Sequence, residues 1–323
     1  MESADPARTT ADRYRRFAEW EAPGVSETYG ELAGGVAADP ELIALLDGLP
    51  SAKRQPNLLF GAVRFLDGPV RDYAAFRAWT RRHWDRIRAV MLERRTQTNE
   101  PGRCATLLPL LATLPEPLAL IEVGASAGLC LYPDRYAYSY DGRPPIGPDG
   151  AVVLGCATTG PVPLPARPPA VAWRAGIDLN PLDVRDPDAV RWLDSLIWPE
   201  HEHRRERLRA AVRIAAADPP HLVRGDLNRA LADLVARVPD GATPVIFHSA
   251  VLPYMAPADR ERFAGTVRDL PGHWVANEAP EVLPEIGRAA PPPPAHEAVF
   301  VLALDGRPVA FTGPHGRSLR WFG

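Results

Sequence analysis

The sequence predicts an α/β protein: a largely parallel sheet that ends in an antiparallel hairpin and is preceded by a helical region. Three observations carry this reading. Leu118 to Leu131, LALIEVGASAGLCL, reads as a fully buried strand, a turn of small residues and the start of a helix. Beyond it, short apolar runs alternate with helix-patterned stretches, as in successive βαβ units. Finally, Val299 to Leu304 and Val309 to Thr312 flank Asp305-Gly306, a strong two-residue hairpin signal.

A chain of 323 residues is long enough for a core domain with a helical appendage. Its 46% hydrophobic and 24% charged content is that of an ordinary globular protein, and a net charge of -3 argues against a nucleic-acid partner. Lys53 is the only lysine, so the basic charge is almost all arginine. Cys104, Cys130 and Cys156 are widely spaced, which fits neither a disulfide framework nor a zinc knuckle, and no metal site is expected. The N-terminal MESADPARTTADRYRR has no apolar core of a secretory signal, and no run of about 18 apolar residues is present. The expectation is a cytoplasmic protein with no membrane partner.

Residues 1–117 read as mostly helical. Tyr14, Phe17 and Trp20 share a helical face, Pro40 to Leu49 starts with proline in its first turn, and Asn57 to Phe65 is largely apolar. Tyr73 to Arg94 reads as one long amphipathic helix with a basic face. The polar approach Arg94 to Arg103 leads into an apolar helix, Cys104 to Leu114. Asn99 is able to cap that helix, with Glu100 and Pro101 in its first turn. The remaining polar groups, Gln97, Asn99, Glu100 and Arg103, are candidates for a substrate-binding cluster over a cleft.

From residue 118 onward the elements read in order. Tyr136 to Tyr140 and Val152 to Cys156 look like a hairpin inserted at about 132–169. Ala170 to Ile177 is the second core strand, with Asp178-Leu-Asn-Pro181 at its tip. A carboxylate there can accept hydrogen bonds from both hydroxyls of a ribose, although Asp178 and Asn180 equally suit the start of a turn. Helices at Asp186 to Trp198 and His201 to Ala217 follow, broken at Pro199; His201 and His203 belong to a solvated charged stretch. The third strand is His221 to Arg224, and Asp226 after it suits a ligand group, the cap of a helix over Asn228 to Val238, or both roles together. Pro244 to Phe247 is the fourth strand, and its tip carries His248 and Tyr254. A helix, Pro257 to Leu270, leads to the fifth strand, His273 to Asn277, with Glu278 at its tip.

Glu122-x-Gly124-x-Ser126-x-Gly128 resembles the E/D-x-G-x-G-x-G signature of class I S-adenosylmethionine methyltransferases, with Ser126 in place of the middle glycine. More widely, RRTQTNEPGRC, LALIEVGASAGLCL, GIDLNPLDV, WPEHEHRRERL, VRGDL and PHGRSLRWF are similar to the bacterial family numbered 2332 among the domains of unknown function, over nearly the whole chain. The resemblance implies a Rossmann-like methyltransferase domain at 118–323, a helical cap or lid at 1–117, and S-adenosyl-L-methionine as cofactor. Glu122, Gly124, Ala125, Ser126 and Gly128 then form the loop side of the cofactor site. Asp178 and Asn180 face the ribose, Asp226 and the Leu227 backbone face the adenine, and His248 borders the reacting methyl group. Methyl transfer needs donor and acceptor held at near-attack distance and, for a protonated acceptor, one proton removed. His248, ranked first, Glu100, Tyr254 and Glu278 are the candidates for that task or for orienting a small-molecule acceptor by O- or N-methylation. Two alternatives stand beside this reading. One is a catalytically silent binding or scaffold protein that keeps the nucleotide pocket, which the Ser126 replacement favours. The other is an NAD-dependent oxidoreductase, disfavoured by the missing G-x-G-x-x-G and by the hairpin.

Overall fold

The computed structural model describes residues 9–97, 99–294 and 297–323. By compactness the chain divides into two units, Met1–Thr98 with Arg185–Glu206, and Asn99–Val184 with Arg207–Gly323. This division does not follow a single cut at residue 117. The apolar helix after Arg103 goes with the sheet, and the helix after Asp186 goes with the N-terminal helices.

The first unit is built of helices whose starts are written in the sequence. Thr9, Ser26, Asp39 and Asp72 each accept a hydrogen bond from a first-turn N–H of α1 (Thr10–Arg16), α2 (Glu27–Ala37), α3 (Pro40–Asp47) and α5 (Tyr73–Arg82), while α4 (Pro56–Phe65) begins with proline. The stretch read as one helix from Tyr73 to Arg94 is two, because the chain breaks at His83 before α6 (Trp84–Glu93). Tyr14, Phe17, Tyr29, Phe60 and Phe76 form the buried aromatic core, with Phe60 at its centre 4.7–6.2 Å from the other four rings. Trp20, expected on the same face as Tyr14 and Phe17, is 79% exposed. A π-helical turn over Phe17–Glu21 lengthens the repeat there and swings it off the face.

The second unit is organised on one sheet. α7 (Cys104–Leu111), buried over its whole length, delivers the chain to β1 (Leu118–Val123). The other strands are β2 (Ala137–Tyr140), β3 (Val153–Thr159), β4 (Val171–Asp178), β5 (His221–Arg224), β6 (Thr243–Ser249), β7 (His273–Glu278), β8 (Phe300–Leu304), β9 (Arg307–Thr312) and β10 (Ser318–Trp321). Their order is β2-β3-β10-β9-β8-β7-β6-β1-β4-β5. Six of the neighbouring pairs are parallel, and only β7-β8, β8-β9 and β9-β10 are antiparallel. The chain is therefore a mixed α/β protein with a mostly parallel sheet, as the alternating pattern predicts, and the hairpin about Asp305-Gly306 forms as β8-β9.

One expectation about this unit is corrected. The two strands of the stretch 132–169 do not form the expected hairpin: β2 and β3 pair in parallel, Ala137 with Val153 through Tyr140 with Cys156, and the chain turns back on β2 only at an isolated antiparallel bridge, Tyr138 with Ile146. They extend the main sheet through β3-β10, and β10 itself was not read as a strand. The insertion is held inward because Tyr136, Tyr138 and Tyr140 are buried and each hydroxyl donates to a backbone carbonyl, of Leu129, Pro133 and Ala105.

In chain order α8 (Pro187–Ser195), α9 (Glu202–Ala217), α10 (Leu227–Val235), α11 (Pro257–Asp269) and α12 (Pro284–Ala289) complete the helices. Leu231, Leu234, Phe263 and Val267 from α10 and α11 pack on Ile121, Val123, Ile177, Ile246 and Trp274 of the sheet. Among the described residues no helix is long and apolar enough to cross a membrane. The chain turns to opposite sides of β1, with β4 and β5 on one flank and β6 and β7 on the other. In open α/β sheets such a reversal opens a crevice at the carboxyl ends of the strands, which is the usual place for a ligand.

Candidate functional site

At that point lies the loop after β1. Gly124, Ser126 and Gly128 have φ of +71°, +51° and +69°. The backbone at position 126 thus adopts the left-handed conformation that glycine takes freely and serine does at a cost of about 1–2 kcal/mol. Ser126 is held there by its N–H, which donates to Asp178 Oδ2 at 2.8 Å. Its carbonyl accepts from Leu182 N–H, while Gly124 and Ala125 donate to the Ile177 carbonyl. The loop is thereby latched to the tip of β4. The helix expected to begin after it is absent; only a 3-10 turn, Leu129–Leu131, follows. Leu129 N–H donates to Asn99 Oδ1 and Gly128 N–H to the Ala125 carbonyl. Most of the loop's donors are therefore engaged within the protein, and no α-helix N-terminus directly follows the loop to present its dipole there.

The polar cluster at 97–103 divides among tasks. Gln97 is half-buried in the helical unit, and Thr98 lies outside the described residues. Asn99 braces the glycine loop at both ends of its amide, donating to the Ala125 carbonyl at 2.8 Å and accepting from Leu129 N–H at 3.0 Å. Neither Asn99 nor Glu100 caps α7, whose N-cap is Arg103 without a side-chain bond; Glu100 caps the 3-10 turn Pro101–Arg103 before it, its Oε1 accepting from Gly102 N–H and pairing with Arg207 Nε at 2.8 Å. Arg103 donates to the carbonyls of Ser249 and Pro314, tying the end of β6 to the C-terminal loop. Of these groups Asn99 supports the loop directly, while Glu100 and Arg103 are engaged with other parts of the chain.

Glu122 is the exception within the core. It sits at the end of β1, 8% exposed, and its Oε2 is buried without a partner, as is Ser126 Oγ. Burial pushes its carboxyl well above the usual range; the neighbouring Cys130 and Asp178 add to this, and Arg103 opposes it.

On the β4 and β5 tips, Asp178 also accepts from Asn180 N–H through Oδ1, and Asn180 Oδ1 receives Arg224 Nη1 at 3.3 Å. Each carboxylate oxygen accepts more than one bond, so Asp178 keeps capacity for a donor from the crevice. Leu179 beside it is 60% exposed. Asp226 is exposed and caps α10 through Asn228 N–H, so the capping alternative holds for it, with half-buried Leu227 as the first helical residue.

The β6 and β7 tips are different. His248 is fully buried; its Nε2 accepts the Trp274 indole N–H at 3.0 Å and its Nδ1 lies 2.7 Å from Glu278 Oε1. An indole only donates, so the network assigns the ring proton to Nδ1. With both nitrogens engaged and no exposed surface, His248 does not meet the access a general base requires. Glu278 is likewise buried, and Oε1 also accepts from Val251 and Leu252 N–H. Tyr254, by contrast, is 73% exposed.

With this geometry in view, the comparison with known families is decisive on one point. A family described as an uncharacterized protein conserved in bacteria (DUF2332) matches residues 11–321. The chain belongs to that family. No curated protein and no solved structure matches it. The DUF2332 description names no activity, so the chemistry must be argued from the residues. Trp274, Arg207 and Val251 were not singled out in the sequence, although each is needed to explain a candidate that was. Trp274 had one legible signal: a tryptophan inside a buried strand needs an acceptor for its N–H.

Proposed function

We propose that this DUF2332 protein is an S-adenosylmethionine-dependent methyltransferase acting in the cytoplasm on a small-molecule acceptor, by O- or N-methylation. The carrying observation is the loop Gly124 to Gly128, left-handed at Gly124, Ser126 and Gly128 and latched through Ser126 N–H to the carboxylate at the neighbouring strand tip. The donor set suits this cofactor better than a dinucleotide. A pyrophosphate asks for free N–H groups at a helix N-terminus. Here most of the loop's donors are engaged and only a 3-10 turn follows it, and the edge carries the carboxylates of Asp178 and Asp226, which favour a sulfonium and an ammonium over a phosphate.

In this reading Asp178 holds the ribose hydroxyls, Asp226 and the Leu227 backbone border the adenine, and the loop with Glu122 faces the methionine part. The cofactor supplies an electrophilic methyl group on a sulfonium. The chain's own contribution is to orient donor and acceptor and to limit water. Isothermal titration calorimetry with S-adenosylhomocysteine and, separately, NAD tests the reading: binding of the first and not the second is expected, and the reverse or no binding overturns it.

A second reading, a catalytically silent protein that retains the pocket, is favoured by one observation. His248, Glu278 and Glu100 are all engaged in internal hydrogen bonds. Transfer of labelled methyl groups from S-adenosylmethionine to a panel of amines, alcohols and carboxylates separates the two. Label in any acceptor removes the silent reading.

A further inference from the structure

The turn after β6 is shaped by groups from the neighbouring strand. Ala250 has a φ of +56°, a left-handed conformation that a non-glycine residue keeps only when its surroundings impose it. Three consecutive N–H groups do so. Ala250 donates to the Asn277 carbonyl, and Val251 and Leu252 both donate to Glu278 Oε1, at 2.9 and 3.2 Å. Glu278 is in turn held by His248, and His248 by Trp274. The turn matters to the crevice because the Val251 side chain lies over Gly124: a Cβ added at Gly124 would stand 2.5 Å from Val251 Cγ2.

We propose that His248 and Glu278 are positioning residues: the relay Trp274–His248–Glu278 sets the β6–α11 turn, and through Val251 it sets the outer wall of the glycine loop. The chain of contacts gives the relay a direction. The Trp274 N–H fixes which ring nitrogen carries the proton, and that proton is what orients Glu278 Oε1 toward the turn. The remaining oxygen, Oε2, is buried without a partner, so Oε1 alone carries the three recorded bonds. This inference rests on the methyltransferase reading only for its consequence on ligand affinity, and not for the ordering of the turn.

Two amide replacements distinguish positioning from bulk packing, since both remove the imidazole ring. In His248→Asn the amide nitrogen superposes on Nδ1 and still donates to Glu278. In His248→Gln the amide reaches the Nε2 position and serves Trp274 instead. Amide hydrogen exchange on the full-length protein, read over 249–255 and 124–131, should show H248Q exchanging about tenfold faster than H248N in both segments. Equal protection in the two variants, or equal loss, overturns the proposal. Calorimetry with S-adenosylhomocysteine should show the dissociation constant rising about tenfold in H248Q and little in H248N. If the parent does not bind S-adenosylhomocysteine, the functional reading fails while the exchange comparison still decides the relay. Should H248Q fail to fold, Val251→Ala replaces it: it leaves the relay intact and should weaken binding while 250–252 stay protected. Unchanged affinity in that variant, with the parent binding, overturns the link to the glycine loop.

Discussion

The strand tips on the two sides of β1 use carboxylates in opposite ways. On the β4 side, Asp178 is half-buried, takes one bond from the glycine loop and one from its own turn, and retains accepting capacity toward the crevice. On the β7 side, Glu278 is buried and concentrates three bonds on one oxygen, all from within the protein. Residue type and position at a strand tip are therefore insufficient to assign a role. What separates a ligand group from an internal brace is which donors the surrounding backbone presents.

The sharpest way to break this comparison is to delete the internal brace. Glu278→Ala leaves two turn N–H groups and the His248 ring proton without an acceptor, and should cost about 3 kcal/mol or more in chemical denaturation. A loss below about 1 kcal/mol would mean that water replaces the carboxylate, and the β7 side would no longer differ from the β4 side.

Next in size is the point where the two sides meet. Gly124→Ala introduces a left-handed alanine, costing about 1–2 kcal/mol, and also pushes its methyl group into Val251. Adding Val251→Ala should recover part of the loss, about 1 kcal/mol in a double-mutant cycle. Additive losses would show that the turn does not press on the loop.

Asp178→Ala and Asp226→Ala then sharpen the ligand side. Removing Asp178 frees the loop latch and deletes the ribose acceptor, so affinity for S-adenosylhomocysteine should fall by about 1.5–3 kcal/mol in calorimetry. Asp226→Ala removes an exposed helix cap, and its main effect should be a stability loss of about 1 kcal/mol. The reverse ranking in affinity would make Asp226 the principal ligand carboxylate.

A pH signature at Glu122 sharpens the comparison in another way. Its folded-state carboxyl titrates above the unfolded value of 4.5, so the native state binds the proton more tightly. Its contribution to stability is complete below that value and is lost as pH rises toward the folded pKa. Glu122→Gln, which mimics the protonated acid, should therefore gain on the parent as pH rises above about 4.5, by up to about 1.4 kcal/mol per pH unit. Denaturation curves of both proteins from pH 4 to 8 check this, and parallel curves would mean that Glu122 is solvated in the folded state.

Much of the architecture is determined by the sequence itself, because its causes are local. Apolar period, caps such as Ser26, Asp39 and Asp72, and the Asp305-Gly306 turn act within a few residues, so the alternating elements and the hairpin are legible without coordinates. That Ser126 stands at a glycine-type position is also legible, since it falls midway between Gly124 and Gly128. What the sequence left open depends on partners far along the chain. The parallel pairing of β2 with β3 is a choice between sheet registers that the same alternating residues allow equally. His248 reads as a base until Trp274 and Glu278, 26 and 30 residues away, occupy both of its nitrogens. Asn99 and Glu100 read as ligand groups until the Ala125 carbonyl and Arg207 meet them. Hydrogen-bonding capacity is a property of the residue, but whether it remains for a ligand is decided only when tertiary structure brings its competitors into reach.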